Sequence, residues 1–279
     1  MAAAMKIAVA GATGRVGSRV VELLKASSHD VVPMSRSTGV DVVTGEGLAQ
    51  ALAGVDCVID AASGSARGSR PPAPTAASDF FTASARNLHE IGLKAGVQRM
   101  VEVSVIGVDH FTTGQGAAKY AHEIAMLAGP IPVRVLRAAQ FHEMVPQLIQ
   151  WGTRGNAAYV RKMRVQSVAS RTVAQALVDL ATDPAWAASP ARPTLPFPEI
   201  AGPREENLAD MARLFVARRG MSLSIQEVTD PADPGDAIYA DGRMLANPNA
   251  TPAGPLFEAR LSSDDVNHDP RPYFVIPAL

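Results

Sequence analysis

The sequence predicts an α/β fold, a doubly wound parallel sheet with a smaller substrate-side portion towards the carboxyl end. Short apolar segments alternate with segments of helical periodicity as far as about residue 140. The connections between them are short, which favours parallel strands joined by helices. Aromatic residues make up 5% of the chain, whereas Ala, Val and Leu are plentiful. That composition suits helices packed on both faces of a parallel sheet.

Each predicted element follows from its periodicity. The predicted strands are continuous apolar runs, at residues 6–10, 31–34, 55–60, 100–105, 133–136 and 165–168. The predicted helices carry apolar residues at three- and four-residue spacing, at residues 16–24, 48–52, 81–95, 116–127, 173–180 and 207–218. Gly96 and Gly220 are expected to end two of these helices.

Domain organisation is predicted from the point at which this alternation loosens. Residues 1–150 are expected to form the sheet portion and residues 151–279 a smaller portion that builds the substrate side. Residues 63–78, rich in Gly, Ser, Ala and Pro, are predicted to be a loop, either a lid or disordered. The proline-rich tail from Asn247 is expected to be irregular or only partly ordered.

Composition excludes several classes of function. The formal net charge is -1, so the basic excess that nucleic-acid binding requires is absent. The single cysteine, Cys57, rules out an intramolecular disulfide and is expected to be buried.

No window approaches the roughly 20 apolar residues of a membrane span. Lys6 and the loop after it interrupt the apolar amino terminus, so we expect a cytoplasmic protein. The six histidines show no metal-ligand spacing, and no metal is expected.

A glycine-rich loop between the first strand and the first helix points to a dinucleotide. The loop residues expected to bind it are Gly11, Thr13, Gly14, Arg15, Val16 and Gly17. Backbone amides and the helix dipole would meet the pyrophosphate there. Gly11 would make the turn, Gly14 would allow the phosphate to approach, and Gly17 would let helix and strand pack closely.

The end of the second strand favours NADP(H) over NAD(H). An acid at this position would accept bonds from the ribose hydroxyls of NAD, whereas an arginine would pair with the additional phosphate of NADP. The sequence Met34-Ser-Arg-Ser37 offers Arg36 and no acid. Arg15 could reach the same phosphate. The alternative is that both arginines are solvated surface residues.

With these segments the chain resembles the atypical short-chain dehydrogenase/reductases, in particular the NmrA-like NAD(P)-binding family. The motifs that carry the resemblance lie within residues 5–220: GATGRVG, GVDVVTGEGL, ALAGVDCVIDAAS, VEVSVIGVD, AAKYAHEIA and VLRAAQFHEMV. The resemblance implies a Rossmann-like fold. It also implies that Asp41 and Val42 lie beside the adenine. The other implied cofactor contacts are Ala61, Ala62 and Ser63 along the ribose path, and Ala138, Ala139, Gln140 and Phe141 near the nicotinamide.

The wider superfamily uses a serine, a tyrosine and a lysine four residues after the tyrosine. Here Lys119 fits the lysine and Ser104 approximates the serine, but the tyrosine position is Gln115. An amide cannot act as a general acid near neutral pH, which puts ordinary carbonyl reduction in doubt. Tyr120 is rotated about 100° around the helix from Lys119 and would point away.

A histidine could replace the missing proton donor. The candidates are His110 and His142, and the alternative is that each is a surface or packing residue. We therefore predict an NADPH-dependent reductase of a small quinone, enone or carbonyl compound. Two other hypotheses stay open: a non-catalytic NADP-binding sensor that signals to a regulatory partner, and a chain whose glycine loop binds no dinucleotide. A homodimer is also possible from the sequence.

Overall fold

The protein was analysed as a computed structural model, in which residues 4–64, 73–188 and 196–262 are described. Two compact units divide the chain. The first unit comprises Met1–Ala138 and Ser170–Pro198, and the second comprises Ala139–Ala169 and Glu199–Leu279. The boundary expected near residue 150 stays a prediction.

The strands follow one another in the order β1 Lys6–Ala10, β2 Asp30–Met34, β3 Cys57–Asp60, β4 Arg99–Val105, β5 Val133–Ala138, β6 Thr153–Arg154, β7 Ala157–Arg161, β8 Arg164–Val165, β9 Glu199–Ala201, β10 Glu206–Asn207, β11 Ser224–Val228 and β12 Thr251–Pro252. The α-helices are α1 Arg15–Lys25, α2 Leu48–Ala51, α3 Pro74–Ala95, α4 Gly114–Ala128, α5 Met144–Gly152, α6 Ser170–Thr182, α7 Leu208–Arg218, α8 Asp236–Ala240 and α9 Phe257–Leu261.

A parallel sheet forms the centre of the first unit. Its strands lie in the order β5–β4–β3–β1–β2, and every neighbouring pair is parallel. Helix α1 packs with α6, and α3 packs with α4. The doubly wound, Rossmann-like α/β fold predicted from the sequence is therefore confirmed.

The register of the sheet brings the carboxyl ends of the strands side by side. Ala10 pairs with Met34 on one side and with Asp60 on the other, and Asp60 pairs with Glu102. Loops that leave these strand ends therefore emerge at one edge of the sheet, which is where ligands bind in folds of this class. Cys57 is fully buried in β3, and burial raises the pKa of its thiol to about 12, as expected for a structural residue.

The second unit carries short strands and helices. Strand β9 pairs with β12, β7 lies between β6 and β11, and β8 pairs with β10. Helix α7 begins after Asn207, whose side chain accepts from the amides of Ala209 and Asp210. That side chain satisfies two amides of the first turn, which would otherwise have no partner.

The prediction of a loop over residues 63–78 was partly wrong. Helix α3 begins at Pro74, so residues 74–78 are helical rather than loop. Proline suits the first helical turn because its missing N–H would have no partner there. The tail from Asn247 was expected to be irregular or only partly ordered, and its described part contains the short elements β12 and α9. Residues 65–72 and 263–279, on which the rest of these two predictions falls, lie outside the described residues.

Within residues 4–64, 73–188 and 196–262, no helix is long and apolar enough to cross a membrane.

Candidate functional site

The glycine loop has a backbone that other residues could not adopt without strain. Gly11 has φ +73°, and a Cβ built there would lie 2.6 Å from the carbonyl oxygen of Ala61. A Cβ on Gly17 would overlap the carbonyl oxygen of Gly11. The amide of Gly14 donates to the same carbonyl at 2.8 Å, which closes the turn. The backbone therefore leaves no room for a side chain at Gly11 or Gly17.

Helix α1 starts from this loop with a bare amino terminus. Gly14 is its N-cap residue, and no described side chain caps the helix there. The first intrahelical bond runs from Ser18 to Gly14, so the amides of residues 15–17 precede the hydrogen-bonded turns. Amides at a helix N-terminus bind anions because they carry the positive end of the helix dipole. Thr13 is exposed beside them.

Arg36 lies next to this loop, at the end of the second strand. The amide of Ala12 donates to the carbonyl of Met34, which joins the two strand ends. A single 3-10 turn follows at Arg36–Thr38, and the side chain of Thr38 accepts from the amide of Ser35. This turn leaves Arg36 exposed. Arg15, by contrast, is partly buried at the start of α1.

The carboxylate of Asp41 closes its own turn. It accepts from the amides of Val43 at 2.7 Å and Thr44 at 3.3 Å. Asn87 of α3 donates to the carbonyl of Val42 at 3.0 Å, and the Val42 side chain belongs to the hydrophobic core. The segment that the resemblance places beside an adenine is therefore held from two sides.

Residues 61–63 run from the end of β3 alongside the glycine loop. The amide of Ala61 donates to the carbonyl of Ala10 at 3.1 Å, and the amide of Ala62 donates to the carboxylate of Asp60 at 3.0 Å. Ser63 is exposed. Ala61 approaches Gly11 closely, so residues 61–63 and the glycine loop lie side by side at this edge of the sheet.

Lys119 is paired with a buried glutamate. Its Nζ atom lies 2.7 Å from Oε1 of Glu102, whose side chain is fully buried. The same ammonium lies 5.2 Å from the ring centroid of Phe81, close enough for a cation–π contact. Gln115 lies one helical turn earlier on α4. The expected lysine is thus in contact with a carboxylate that was not anticipated.

Ser104 lies two residues after Glu102 on β4, so both side chains face the same side of the sheet. Ser104 is 2% exposed, and its Oγ has no hydrogen-bond partner among the described residues. A buried hydroxyl without a partner is costly, and a bound ligand could relieve that cost.

A buried histidine extends this group of side chains. Nε2 of His122 lies 3.0 Å from Oδ2 of Asp60 and 3.6 Å from Oε1 of Glu102. Burial would raise the pKa of Asp60, but the hydrogen bond from His122, the positive charges of His122 and Lys119, and the Ala62 amide together hold it below its ordinary value. Asp60 is therefore a carboxylate at neutral pH.

A second ion-pair network ties α4 to β5. Arg137 donates to both carboxylate oxygens of Glu123, at 2.8 and 3.2 Å, and to Asp109 at 3.1 Å. In the sequence, Glu123 stands out only as part of the motif AAKYAHEIA. Glu102 could have been suspected because it interrupts the apolar run Met100-Val-Glu-Val-Ser-Val105.

The segment 139–142 belongs to the second unit. Ala139 is buried, its amide donates to the carbonyl of Ile200, and Phe141 forms a bridge with Val168. The side-chain oxygen of Gln140 is buried with no partner among the described residues.

His142 is 1% exposed, and its Nε2 donates to the carbonyl of Ser167 at 3.1 Å. Burial lowers its pKa to about 4, against the attraction of Glu143. The ring is therefore neutral at pH 7, and its Nδ1 has no partner in the described chain. Nδ1 of the neutral ring can accept a hydrogen bond, whereas the lowered pKa disfavours its protonation. The role of His142 as a donor stays a prediction, as does that of the exposed His110.

Across residues 4–64, 73–188 and 196–262, no three His, Cys, Asp or Glu side chains group as metal ligands would.

Comparisons with known proteins agree with this arrangement. Residues 11–129 match a family model described as NAD(P)H-binding. No curated protein matches the chain by sequence. Many solved structures match it.

Three of these solved structures cover most of this chain. A short-chain dehydrogenase/reductase superfamily protein from Agrobacterium tumefaciens, with bound NAD, has a TM-score of 0.59 at 18% identity over 80% of this chain and 85% of that one. UDP-N-acetylglucosamine 4-epimerase from Bacillus cereus has a TM-score of 0.62 at 15% identity over 98% and 100%. TunA, an NAD-dependent NDP-hexosamine 5,6-dehydratase, has a TM-score of 0.64 at 16% identity over 92% and 95%.

These identities are low, so the solved structures establish the fold alone. Residues 11–129, less than half of the chain, are similar to the NAD(P)H-binding family, and the fold is similar to that of the solved short-chain dehydrogenase/reductase superfamily protein.

Proposed function

We propose that this protein binds NADP(H) and transfers a hydride between the nicotinamide and a small electrophile, a quinone, enone or carbonyl compound. The observation that carries the proposal is the bare N-terminus of α1 above a glycine loop with no room for side chains. Phosphate oxygens could approach the backbone amides of residues 15–17 there. The relative from Agrobacterium tumefaciens, solved with bound NAD, supports a dinucleotide at this loop.

Preference for NADP rests on Arg36. The residue is exposed at the end of β2, beside the glycine loop, where a phosphate on the adenosine ribose would need a positive partner. Arg15 would contribute positive charge from the start of α1.

The remaining cofactor contacts are carried over from the family resemblance and stay proposals. Asp41 and Val42 would border the adenine, Ala61, Ala62 and Ser63 the ribose path, and Ala139, Gln140 and Phe141 the nicotinamide. The unpartnered hydroxyl of Ser104 and the ammonium of Lys119 would face the reacting end. A bound dihydronicotinamide supplies the hydride, and the protein's contribution is to bind and orient it and its acceptor.

Calorimetric titration with NADP and NAD tests cofactor binding directly. Arg36→Ala should weaken NADP by about 1–3 kcal/mol and leave NAD nearly unchanged, because only NADP carries the additional phosphate. Lys25→Ala, which removes an exposed cation at the opposite end of α1, is the matched control and should affect neither cofactor. An equal loss for both cofactors in Arg36→Ala would refute the preference.

Catalysis is tested by NADPH consumption with a panel of quinones, enones and aldehydes. Absence of turnover in a protein that binds NADPH would instead favour a non-catalytic sensor whose cofactor occupancy is passed to a partner protein. Two observations make that second function worth testing: Gln115 replaces the tyrosine, and Lys119 is engaged by Glu102. A partner whose affinity changes with NADP would support the sensor.

A further inference from the structure

Four ionisable side chains lie together between β3, β4 and α4. They are Asp60, Glu102, Lys119 and His122, and none has a side chain more than 14% exposed. Buried charges are tolerated when they are paired and hydrogen-bonded. The protonation state of the histidine therefore decides whether this quartet is electrically neutral.

Both ring nitrogens of His122 face hydrogen-bond acceptors. Nδ1 lies 3.1 Å from the carbonyl oxygen of Phe81, and Nε2 lies 3.0 Å from a carboxylate oxygen of Asp60. A carbonyl and an ionised carboxylate can only accept. A neutral imidazole has one N–H, so it would leave one of these short contacts without a proton.

His89 shows the opposite arrangement in the same helical layer. Its Nε2 donates to the carbonyl of Met126 at 2.9 Å, while its Nδ1 accepts from the amide of Ile131 at 3.4 Å. One donor and one acceptor satisfy a neutral ring. Burial lowers the pKa of His89 below its ordinary value, in agreement with that state. The two buried histidines are thus distinguished by their hydrogen-bond partners.

We propose that His122 is a buried imidazolium cation and that His122, Asp60 and Glu102 are positioning residues for the ammonium of Lys119. Two carboxylates and two cations then give a quartet with no net charge. Glu102 accepts from Lys119 at 2.7 Å, and His122 lies 3.6 Å from the same oxygen. Asp60 in turn orients the imidazolium. The cofactor-binding consequence of this arrangement rests on the proposed function, whereas the protonation state does not.

Contacts on the other sides of the ring are consistent with this assignment. The Phe81 ring stacks on His122 with centroids 4.8 Å apart and the planes tilted by 36°. The carboxylates of Asp60 from β3 and Glu102 from β4 lie against Nε2, and Lys119 of α4 shares the Glu102 oxygen. Helix α3 contributes the Phe81 carbonyl and His89, which interacts electrostatically with His122. Two carboxylate oxygens therefore lie within 3.6 Å of Nε2, and nearby negative charge favours a charged imidazole.

Nitrogen-15 NMR of the histidine rings tests the protonation state in the wild-type protein without cofactor. The His122 ring is assigned through its proximity to the Phe81 ring protons. At neutral pH, His122 should show two protonated nitrogens because both face acceptors, while His89 should show one protonated and one bare nitrogen. A bare nitrogen on His122 at this pH would overturn the proposal.

Titration of two variants with NADPH tests the positioning role. His122→Gln should weaken NADPH binding about tenfold, because Lys119 loses a fixed neighbour. His89→Gln, which perturbs an equally buried histidine outside the quartet, should stay within about twofold. Equal losses in both variants would show that His122 is only structural.

A wild-type protein that fails to bind NADPH would refute the proposed function and the positioning role together. The protonation state would still be decided by the ring nitrogens.

Discussion

The Nζ atom of Lys119 lies 2.7 Å from Oε1 of Glu102, a side chain with no exposed surface. The lysine is therefore not a free cation at the sheet edge but one member of a buried ion pair. Removal of either partner of such a pair leaves the other charge without compensation, which costs more than the pair itself contributes.

Glu102→Gln should destabilise the protein by about 1–3 kcal/mol. The amide keeps the shape of the carboxylate but leaves Lys119 and His122 facing one carboxylate instead of two. Urea unfolding at pH 7 measures the loss. Glu22→Gln, which removes an exposed partner of Arg19 on α1, should cost no more than about 0.5 kcal/mol. A similar loss in both variants would mean that the buried pair contributes no more than a surface one.

The glycine loop could be predicted from the sequence, whereas the contacts within the quartet could not. The glycine loop was predictable because its requirement is local: Gly11 has a positive φ directly after the short apolar strand β1. The contact between Asp60 and His122 joins positions 62 residues apart. Only the packing of α4 on the sheet creates it, and no local pattern shows that these two residues meet.

The sequence does contain a signal for Glu102 and for the pair His122 and Glu123. Glu102 breaks an apolar strand, and His122 and Glu123 follow Lys119 by three and four residues, which puts them on one helix face. The start of α3 was missed because the sequence around Pro74 has the composition of a loop. Proline is compatible with the first turn of a helix, and composition alone does not separate the two cases.

Asp60→Asn should reduce the loss of stability at acid pH. The folded-state pKa of Asp60 is held below its ordinary value of 3.8, so its contribution is complete above that pH and is lost as the pH falls through the folded value. Urea unfolding between pH 5 and pH 2 should therefore show a flatter decline in the variant, which lacks this titration. Identical slopes for the two proteins would contradict the lowered pKa.

His142→Gln should flatten the pH dependence of the free energy of unfolding between about pH 6.5 and pH 4. Burial lowers the pKa of His142 from 6.5 to about 4, so the unfolded chain takes up a proton first. The stabilising effect is complete above pH 6.5 and declines as the pH falls towards 4, by up to about 3 kcal/mol. Glutamine keeps a donor for the Ser167 carbonyl but does not titrate. Unfolding at pH 7.5 and 4.5 separates the two proteins.

His110→Gln serves as the control for His142, because His110 is exposed. Its unfolding should follow the wild type at both pH values. The prediction would be wrong if the wild type were equally stable at pH 7.5 and pH 4.5 and His142→Gln showed the same stability at both. His142 would then not be buried in the neutral form.

Gly11→Ala should combine two costs, and Gly54→Ala isolates one of them. Both glycines have a positive φ, +73° and +69°, so an alanine at either position pays about 1–2 kcal/mol for the left-handed backbone. Nothing lies within 4 Å of a Cβ on Gly54, whereas a Cβ on Gly11 meets the backbone of Ala61 and Ala62. Gly11→Ala should therefore lose about 1–3 kcal/mol more in urea unfolding.

Gly11→Ala should also abolish detectable NADPH binding, because the loop and the start of α1 must shift. Gly54→Ala should bind NADPH as the wild type does, and equal behaviour of the two variants would show that the loop tolerates side chains.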